Sequence, residues 1–477
     1  MTFFSNTTYR LAFIALLLLL AATVYHRTAH FDDAWFAEQS YWLVRDGVVR
    51  SALFAGYNGW ETKLYVFHKL FIYAGAGLMS VVGFSLAGSK VLSTLCVVVA
   101  GGLLWQYARW WSREGQWLAV LLFGGCGAVL YYAAINRPEL LCMTLGLTSY
   151  VALDRPITKD SKSGWAGFWA GLAALTHLNG LIYLAAGGLW LLTRAGWRPA
   201  LWFGLIGGLT TSLYFADALA DSNMGGLIAQ FRNDPATQSN FSLTDKLGVM
   251  LGYHQVFFHS LREIPLTALT LLSLFFFRAH LRLTNPVVLY LSLLVASFWL
   301  LTKSNFNFYY LLFVPWLVLA VVGGLIKSRE VHTVRQLKAV RLALLTYALC
   351  ALVSAGLVIR ENLEKPYAPE QNARLASLMP QKGTSVIAPI GFFFGQMDNY
   401  AIHGLTYYHL LEKQLGTLPL ATFFAIAEQR NVTYVVSDDP GNMSYQIPLD
   451  GPAEIGAYRR IFRDSTRVIY AKVSKNG

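Results

Sequence analysis

The chain has 477 residues, of which 55% are hydrophobic and 13% charged. Soluble globular domains carry about 25% charged residues, so this composition excludes an ordinary soluble enzyme as well as a disordered or collagen-like chain. The 38 Lys and Arg against 26 Asp and Glu give a net charge of +12; on a soluble chain that excess points to nucleic acid, on a membrane chain to basic cytoplasmic connectors.

A helix crossing the hydrocarbon core needs about 20 mostly apolar residues. Candidate segments are 11–25, 64–83, 91–108, 117–133, 139–153, 164–176, 178–193, 199–218, 265–277, 286–301, 308–326 and 340–359. The first follows Arg10 and reads as a span, with a cleaved signal peptide as the alternative. Cys96, Cys126, Cys142 and Cys350 fall in apolar runs without metal-ligand spacing and read as small buried hydrophobes.

Alternate connectors from residue 91 onward are basic. They hold Arg109 and Arg113; Arg155, Lys159 and Lys162; Arg194 and Arg198; Arg278 and Arg282; and Lys327, Arg329, Arg335, Lys338 and Arg341. The positive-inside rule places them in the cytoplasm, which removes the nucleic-acid reading. Segment 91–108 must then run inward and segment 11–25 outward, so 64–83 cannot cross. It is expected to lie at the outer face as a juxtamembrane or re-entrant element. The expectation is a polytopic α-helical membrane protein with eleven crossings, N-terminus inside and C-terminus outside, in the inner (plasma) membrane. A single tilted helix over 164–193 would change that parity.

Loop 26–90, turn 135–139, loop 219–264 and the C-terminal region therefore share the outer face. We expect a membrane domain over 1–359 and a small extracytoplasmic α/β domain over 360–477. In the latter, helices are expected at 369–379 and 421–430, strands at 384–388, 432–437 and 467–473, and a turn at Asp438-Asp439-Pro440-Gly441.

The outer loops carry the candidate chemistry. Residues 31–47, FDDAWFAEQSYWLVRDG, put Asp32, Asp33 and Glu38 at the membrane surface. Such carboxylates read as a general base or hard-cation ligands, or as caps of an interfacial helix over 34–44. In GWETKLY, Glu61 could join a metal site, and Lys63 could hold a phosphate or snorkel beside Trp60 and Tyr65. In INRPEL, Arg137 and Glu139 could bind a lipid phosphate or form an ion pair within the turn. His177 and Asn179 interrupt AALTHLNG; a lone His is more often structural than a ligand. The run TKSNFNFYY offers Lys303, Asn305, Asn307, Tyr309 and Tyr310, and loop 219–264 offers Arg232, Asp234, His254 and His259 as acceptor contacts. Ionisable groups gathered in outer connectors fit an enzyme site better than a transporter's midplane site. A lipid-linked glycan flippase and a non-catalytic membrane scaffold are the rival readings.

This arrangement resembles the GT-C superfamily of integral-membrane glycosyltransferases, especially the protein-mannosyltransferase and aminoarabinose-transferase-like group (families 39 and 83). The resemblance covers most of 11–326 and the C-terminal domain expected at the outer face. It rests on the order of Asp32-Asp33 with Phe36 and Glu38, then ETKLY, GFSLAGSKVLSTL, YYAAINRPELL, GLAALTHLNG and NFNFYYLLFVP. It implies transfer of a sugar from a polyprenyl-phosphate donor lipid to a glycan, lipid or protein acceptor at the outer face. It further implies Asp33 or Asp32 as general base or acceptor-positioning group, Lys63, Arg137 and Lys303 near the donor phosphate, and Glu61 as a metal-associated position. Glu38, Glu139, His177 and Tyr309 are acceptor-side or supporting candidates. The pair here is Asp-Asp rather than Asp-Glu, no Lys-Pro-Pro surrounds Lys63, and His177 stands where many relatives have Lys. These departures leave a divalent metal cofactor and the acceptor open.

Overall fold

The computed structural model describes residues 3–154, 160–234, 242–328, 333–437 and 443–473. Arg155, Lys159, Arg329 and the turn expected at 438–441 lie outside the described residues.

The chain opens with α1 (Asn6–Val24), α2 (Phe31–Asp46), α3 (Lys69–Val82), α4 (Leu86–Ala108) and α5 (Arg113–Gly124). Next come α6 (Gly127–Tyr132), α7 (Pro138–Leu153), α8 (Asp160–Thr176), α9 (Leu181–Arg194), α10 (Trp197–Ser212) and α11 (Ala216–Ala220). The loop 219–264 holds α12 (Met224–Arg232), α13 (Leu243–Leu251) and α14 (Gln255–Phe258); α15 (Ile264–Phe276), α16 (Pro286–Leu301), α17 (Val314–Lys327) and α18 (Val334–Glu364) follow. Four helical stretches, Asn6–Val24, Leu86–Ala108, Trp197–Ala220 and Arg335–Ser377, are long and apolar enough to cross a membrane, and shorter apolar helices accompany them. The protein is a multi-pass membrane protein.

Side-chain contacts define two ends of the bundle. At the basic end, buried Glu114 at the start of α5 accepts from Phe3 N–H (2.6 Å) and Tyr9 O–H (2.8 Å), and Arg341 of α18 donates to Phe3 C=O (2.7 Å). The ends of α4 and α7 meet there through Tyr107 and Asp154, and the end of α9 meets the start of α16 through Arg194 and Thr284. At the opposite end, Asn362 of α18 bonds Thr28 N–H and Thr23 C=O just past α1. The helices α1 and α18 thus run parallel, which places the N-terminus and the C-terminal domain at opposite ends. Counting α5 with α6, α10 with α11, and α17 with the 3-10 turn before it (Asn307–Leu312), the segments running between the ends are α1, α4, α5–α6, α7, α8, α9, α10–α11, α15, α16, α17 and α18. The stretch 164–193 is two helices, broken at His177–Gly180.

The amphipathic helix α3 does not run between the ends. Its start lies at the acidic end, where the His68 and His177 rings stack 4.7 Å apart. Its far end leads into the start of α4, where Lys90 reaches Asp33 at the same end.

Close packing explains several glycines. A Cβ on Gly171 of α8 would lie 2.6 Å from Gly207 C=O of α10, so these two helices touch backbone to backbone. The break between α5 and α6 frees Ala128 N–H, which Arg262 C=O accepts at 3.1 Å. Gly127 permits this, because a Cβ there would sit 2.7 Å from Arg262 Cα.

After α18 the chain forms α19 (Ala368–Ser377), β1 (Ser385–Ala388), β2 (Ala401–Gly404), α20 (Leu405–Leu415), α21 (Leu420–Gln429), β3 (Tyr434–Val436), β4 (Glu454–Ile455), β5 (Tyr458–Arg463) and β6 (Val468–Lys472). The sheet order is β2-β1-β3-β6-β5-β4, with β1 parallel to both its neighbours and the other pairings antiparallel. One face buries Ile387, Val435 and Tyr470 against Phe423 and Phe424 of α21. The other joins Val386, Ile402 and Val436 to Leu53 and Phe54 of the first outer loop, so the small domain sits on that loop.

Candidate active site

The first outer loop turns at His30, which caps α2. Its ring nitrogen accepts from Asp32 N–H at 3.3 Å, and its backbone N–H donates to Asp33 Oδ2 at 2.7 Å. This reciprocal cap fixes both aspartates. Asp33 is fully buried; its Oδ1 accepts from Asn136 N–H at 2.7 Å, and Lys90 Nζ lies 3.3 Å from Oδ2. Lys90 also donates to Thr28 C=O at 3.0 Å. Asp33 therefore ties the starts of α2 and α4 to the turn before α7.

Asp32 keeps partial exposure, 14% of its side chain, and pairs with Arg137, and its Oδ2 lies 3.3 Å from His30 Nδ1. Arg137 reaches Glu139 with two parallel bonds, Nε to Oε2 at 3.0 Å and Nη2 to Oε1 at 2.9 Å. The guanidinium also lies 3.5 Å from the centre of the Phe308 ring. His177 Nε2 stands 3.7 Å from Glu139 Oε1, its ring stacks on His68, and Tyr309 meets it edge-on at 5.6 Å. Burial alone would raise the Asp32 pKa; Arg137 first, then His30, hold it below the usual carboxylate range. Burial likewise works against the charge on Arg137, but Asp32 and Glu139 offset it and raise its pKa. Burial, then His177 and Arg137, push His68 well below the ordinary imidazole value, so it is neutral.

The structure thus gathers Asp32, Asp33, Arg137, Glu139, His177 and Tyr309 around one point at the acidic end. The other predicted residues stand elsewhere. Glu38 is fully buried and accepts from Ser51 O–H (2.5 Å), Ala52 N–H (2.6 Å), Leu53 N–H (2.9 Å) and Trp42 Nε1–H (3.0 Å). It anchors the loop after α2. Burial pushes its pKa up to about 7 against those bonds. Lys63 pairs with Asp221, beside Tyr65, whose hydroxyl donates to Asp221 at 2.8 Å. Next to it, Lys69 pairs with Asp217 at 2.5 Å. Lys303 Nζ lies 4.5 Å from the Phe231 ring centre. Glu61 accepts from Gly56 N–H at 3.2 Å.

Among the described residues, no three His, Cys, Asp or Glu side chains are grouped to hold a metal ion. The acidic residues of the cluster are already engaged by Arg137 and Lys90, so the donor set does not fit a resident cation. Sequence reasoning missed His30, His68, Lys90 and Asn136. Of these only Lys90 carried a signal, a cation one turn inside an apolar helix, which demands a partner.

No protein-family model and no curated protein matches the chain. Solved structures do. The fold is that of the GT-C glycosyltransferases. It is similar to ArnT from Cupriavidus metallidurans bound to undecaprenyl phosphate, with a TM-score of 0.67 and 13% identity over 99% of each chain. The Archaeoglobus fulgidus oligosaccharyltransferase tethered with an acceptor peptide gives 0.53 at 11% identity, over 90% of this chain and 69% of that one. The mycobacterial arabinofuranosyltransferase AftD gives 0.50 at 14%, over 99% of this chain and 40% of that one.

Proposed function

We propose that the chain is a glycosyltransferase that moves a sugar from a polyprenyl-phosphate donor to an acceptor hydroxyl or amine at the outer face of the plasma membrane. The N-terminus is then cytoplasmic and the C-terminal domain extracytoplasmic. The observation that carries this reading is the Asp32–Arg137–Glu139 cluster, with one carboxylate part-exposed and one guanidinium fixed beside it. Its setting in a GT-C fold, shared with an ArnT that holds undecaprenyl phosphate, supplies the substrate class.

The reaction is a single displacement. The acceptor oxygen or nitrogen forms a bond to the anomeric carbon while the bond from that carbon to the phosphate oxygen breaks. The electron pair leaves with the lipid phosphate, the acceptor proton passes to a carboxylate, and the anomeric configuration inverts. The residues favoured by sequence were Asp33 and Asp32. Asp33 has its oxygens committed to His30, Asn136 and Lys90, so we assign the proton-accepting and orienting role to Asp32 and a positioning role to Asp33. A low-pKa carboxylate serves here because it stays ionised and ready to orient a donor hydrogen. Arg137 stabilises charge developing on the phosphate, and Lys63 and Lys303, which stand apart from the cluster, are assigned to the donor phosphate only as the lipid enters. For Lys63 this requires exchange of Asp221 for phosphate. Glu139 and His177 orient Arg137, and Tyr309 walls the acceptor side. No step is routed through a metal, and Glu61 keeps a loop-turn role.

The test is transfer from a radiolabelled polyprenyl-phosphate sugar to envelope extracts, with donor binding measured separately. Asp32→Asn should lose transfer by at least a hundredfold while still binding donor lipid. Full activity in Asp32→Asn would sink the assignment. Lipid movement between leaflets without any glycosidic bond would favour the flippase reading.

A further inference from the structure

A cavity of about 300 Å³ lies at the acidic end, between α18 and the loop before α15. It is lined by Arg262, His259, Leu261, Ser354, Leu357 and Glu361, among others, and shares no residue with the Asp32 cluster. Three features show that it is built to receive a group. Ser354 is 6% exposed, and its hydroxyl has no hydrogen-bond partner among the described residues, an unfavourable state for a buried polar atom. The Arg262 guanidinium lies 3.3 Å from the Tyr131 ring centre, with Arg27 near the same ring at 4.7 Å. No side-chain hydrogen bond from Arg262 is seen among the described residues, so its donors are free to meet an acceptor. Glu361 adds a carboxylate, balanced by Lys365 at 3.0 Å.

The depth of the cavity indicates what it holds. The ion pairs Glu361–Lys365 and Arg360–Glu364 close the outer end of α18 and mark the headgroup level. Ser354 lies seven residues earlier, roughly 10 Å deeper along the helix. Leu357 and Leu261, both exposed, face the lipid beside it. A carboxylate at the surface, a hydroxyl about 10 Å deeper, a guanidinium lining the same cavity and an aliphatic flank match a zwitterionic lipid, ammonium outermost.

We propose that this cavity is a binding site for an outer-leaflet phospholipid with a primary-amine headgroup of the ethanolamine type. Arg262 pairs with the phosphate, Glu361 accepts from the ammonium, Ser354 donates to an ester oxygen, and the acyl chains run down past Leu357 and Leu261. A fully anionic headgroup meets repulsion from Glu361. A choline headgroup has no N–H to donate to it.

The test uses the delipidated full-length protein in detergent. Thermal stability and native mass spectrometry are followed during titration with dioleoyl phosphatidylethanolamine, phosphatidylglycerol or phosphatidylcholine, and with soluble glycerophosphoethanolamine. The ethanolamine lipid should raise the melting temperature at the lowest concentration and remain bound at the highest collision energy. Arg262→Ala should raise the concentration required at least tenfold. Glu361→Gln, a surface change that leaves the fold intact, should abolish the preference for ethanolamine over glycerol headgroups. Equal response to all three lipids overturns the proposal, as does equal response to the soluble headgroup or an unchanged titration in both variants.

Discussion

At the residue scale, two adjacent aspartates do different work because the helix turns them differently. Asp33 points into the protein, where its partner Lys90 is also nearly buried. Asp33→Asn would leave that ammonium uncompensated, at a cost of about 3–5 kcal/mol. Its expected signature is a markedly lower melting temperature with activity lost in proportion to folded protein, whereas Asp32→Asn, whose partner Arg137 keeps both bonds to Glu139, should melt only slightly below wild type and be inactive. Thermal unfolding and transfer assays on the two variants side by side check this. Arg137→Lys is not a conservative change, because an ammonium cannot reproduce the two-bond grip on Glu139 while reaching Asp32. It should reduce kcat by at least tenfold with a smaller effect on donor KM. Glu38 gives a pH prediction. Its folded-state pKa, about 7, lies above the ordinary 4.5, so the folded state binds the extra proton between those values. Stability should therefore rise as pH falls from 8 to 5 and the contribution should vanish above pH 7. Glu38→Gln should flatten this trend in pH-dependent melts.

The acidic pair was legible at this scale because it is contiguous and follows the first span. His68 and Asn136 were not, because each acquires its role from a partner far along the chain, and Lys90 showed only that it needs a partner, not which one. Sequence spacing also could not say which of Asp32 and Asp33 faces outward; the cap geometry at His30 decides it.

At the element scale, the connectors of alternating charge were readable, and the two ends of the bundle follow them. The demotion of 64–83 from a span rested on parity, on its polar residues and glycines, and on the resemblance, and the contacts at both ends of α3 agree with it. The break at His177 was visible as a polar interruption. The kink between α5 and α6 was not, since the partner that satisfies its freed N–H is Arg262 C=O on a distant loop. In the small domain, helices α19 and α21 and strands β1, β3 and β6 stand where apolar runs predict them. Strand β5, YRRIFR, escaped notice because its exposed side carries arginines and reads as a charged loop. Helix contact gives a further prediction. Gly171→Leu would drive its side chain into Gly207 C=O and Thr210 at the α8–α10 crossing. Overpacking costs about 1–3 kcal/mol where side chains can yield, and backbone carbonyls yield less. The variant should melt below wild type, while Gly204→Leu on the open face of α10 should not.

At the scale of the whole molecule, the C-terminal domain and the loop after α2 form one continuous core. The loop after α2 passes Leu53 C=O to Gly404 N–H at 2.8 Å and Ala55 C=O to Arg430 Nη1 at 3.1 Å. From α2 itself, Tyr41 O–H donates to Asp398 at 2.6 Å. Since α2 begins with Asp32 and Asp33, the domain braces the helix that carries the proposed base. Its contribution to the reaction is then positional: it touches no reacting atom, but it limits the motion of a helix whose only covalent tether to the bundle is a short turn after α1 on one side and a long loop on the other. Asp398→Asn keeps the shape of the side chain and weakens the charge-assisted bond to Tyr41, while Arg430→Ala removes the grip on the loop and its stacking against Tyr407. The double variant should fold and bind donor lipid as wild type does, yet lose kcat by roughly tenfold, about 1.4 kcal/mol of transition-state positioning. Hydrogen exchange should rise in residues 48–60 and at the start of α2 but not in α7. Unchanged exchange together with unchanged kcat would assign the domain to a task other than bracing the site, leaving α2 held by Glu38 and the membrane bundle alone.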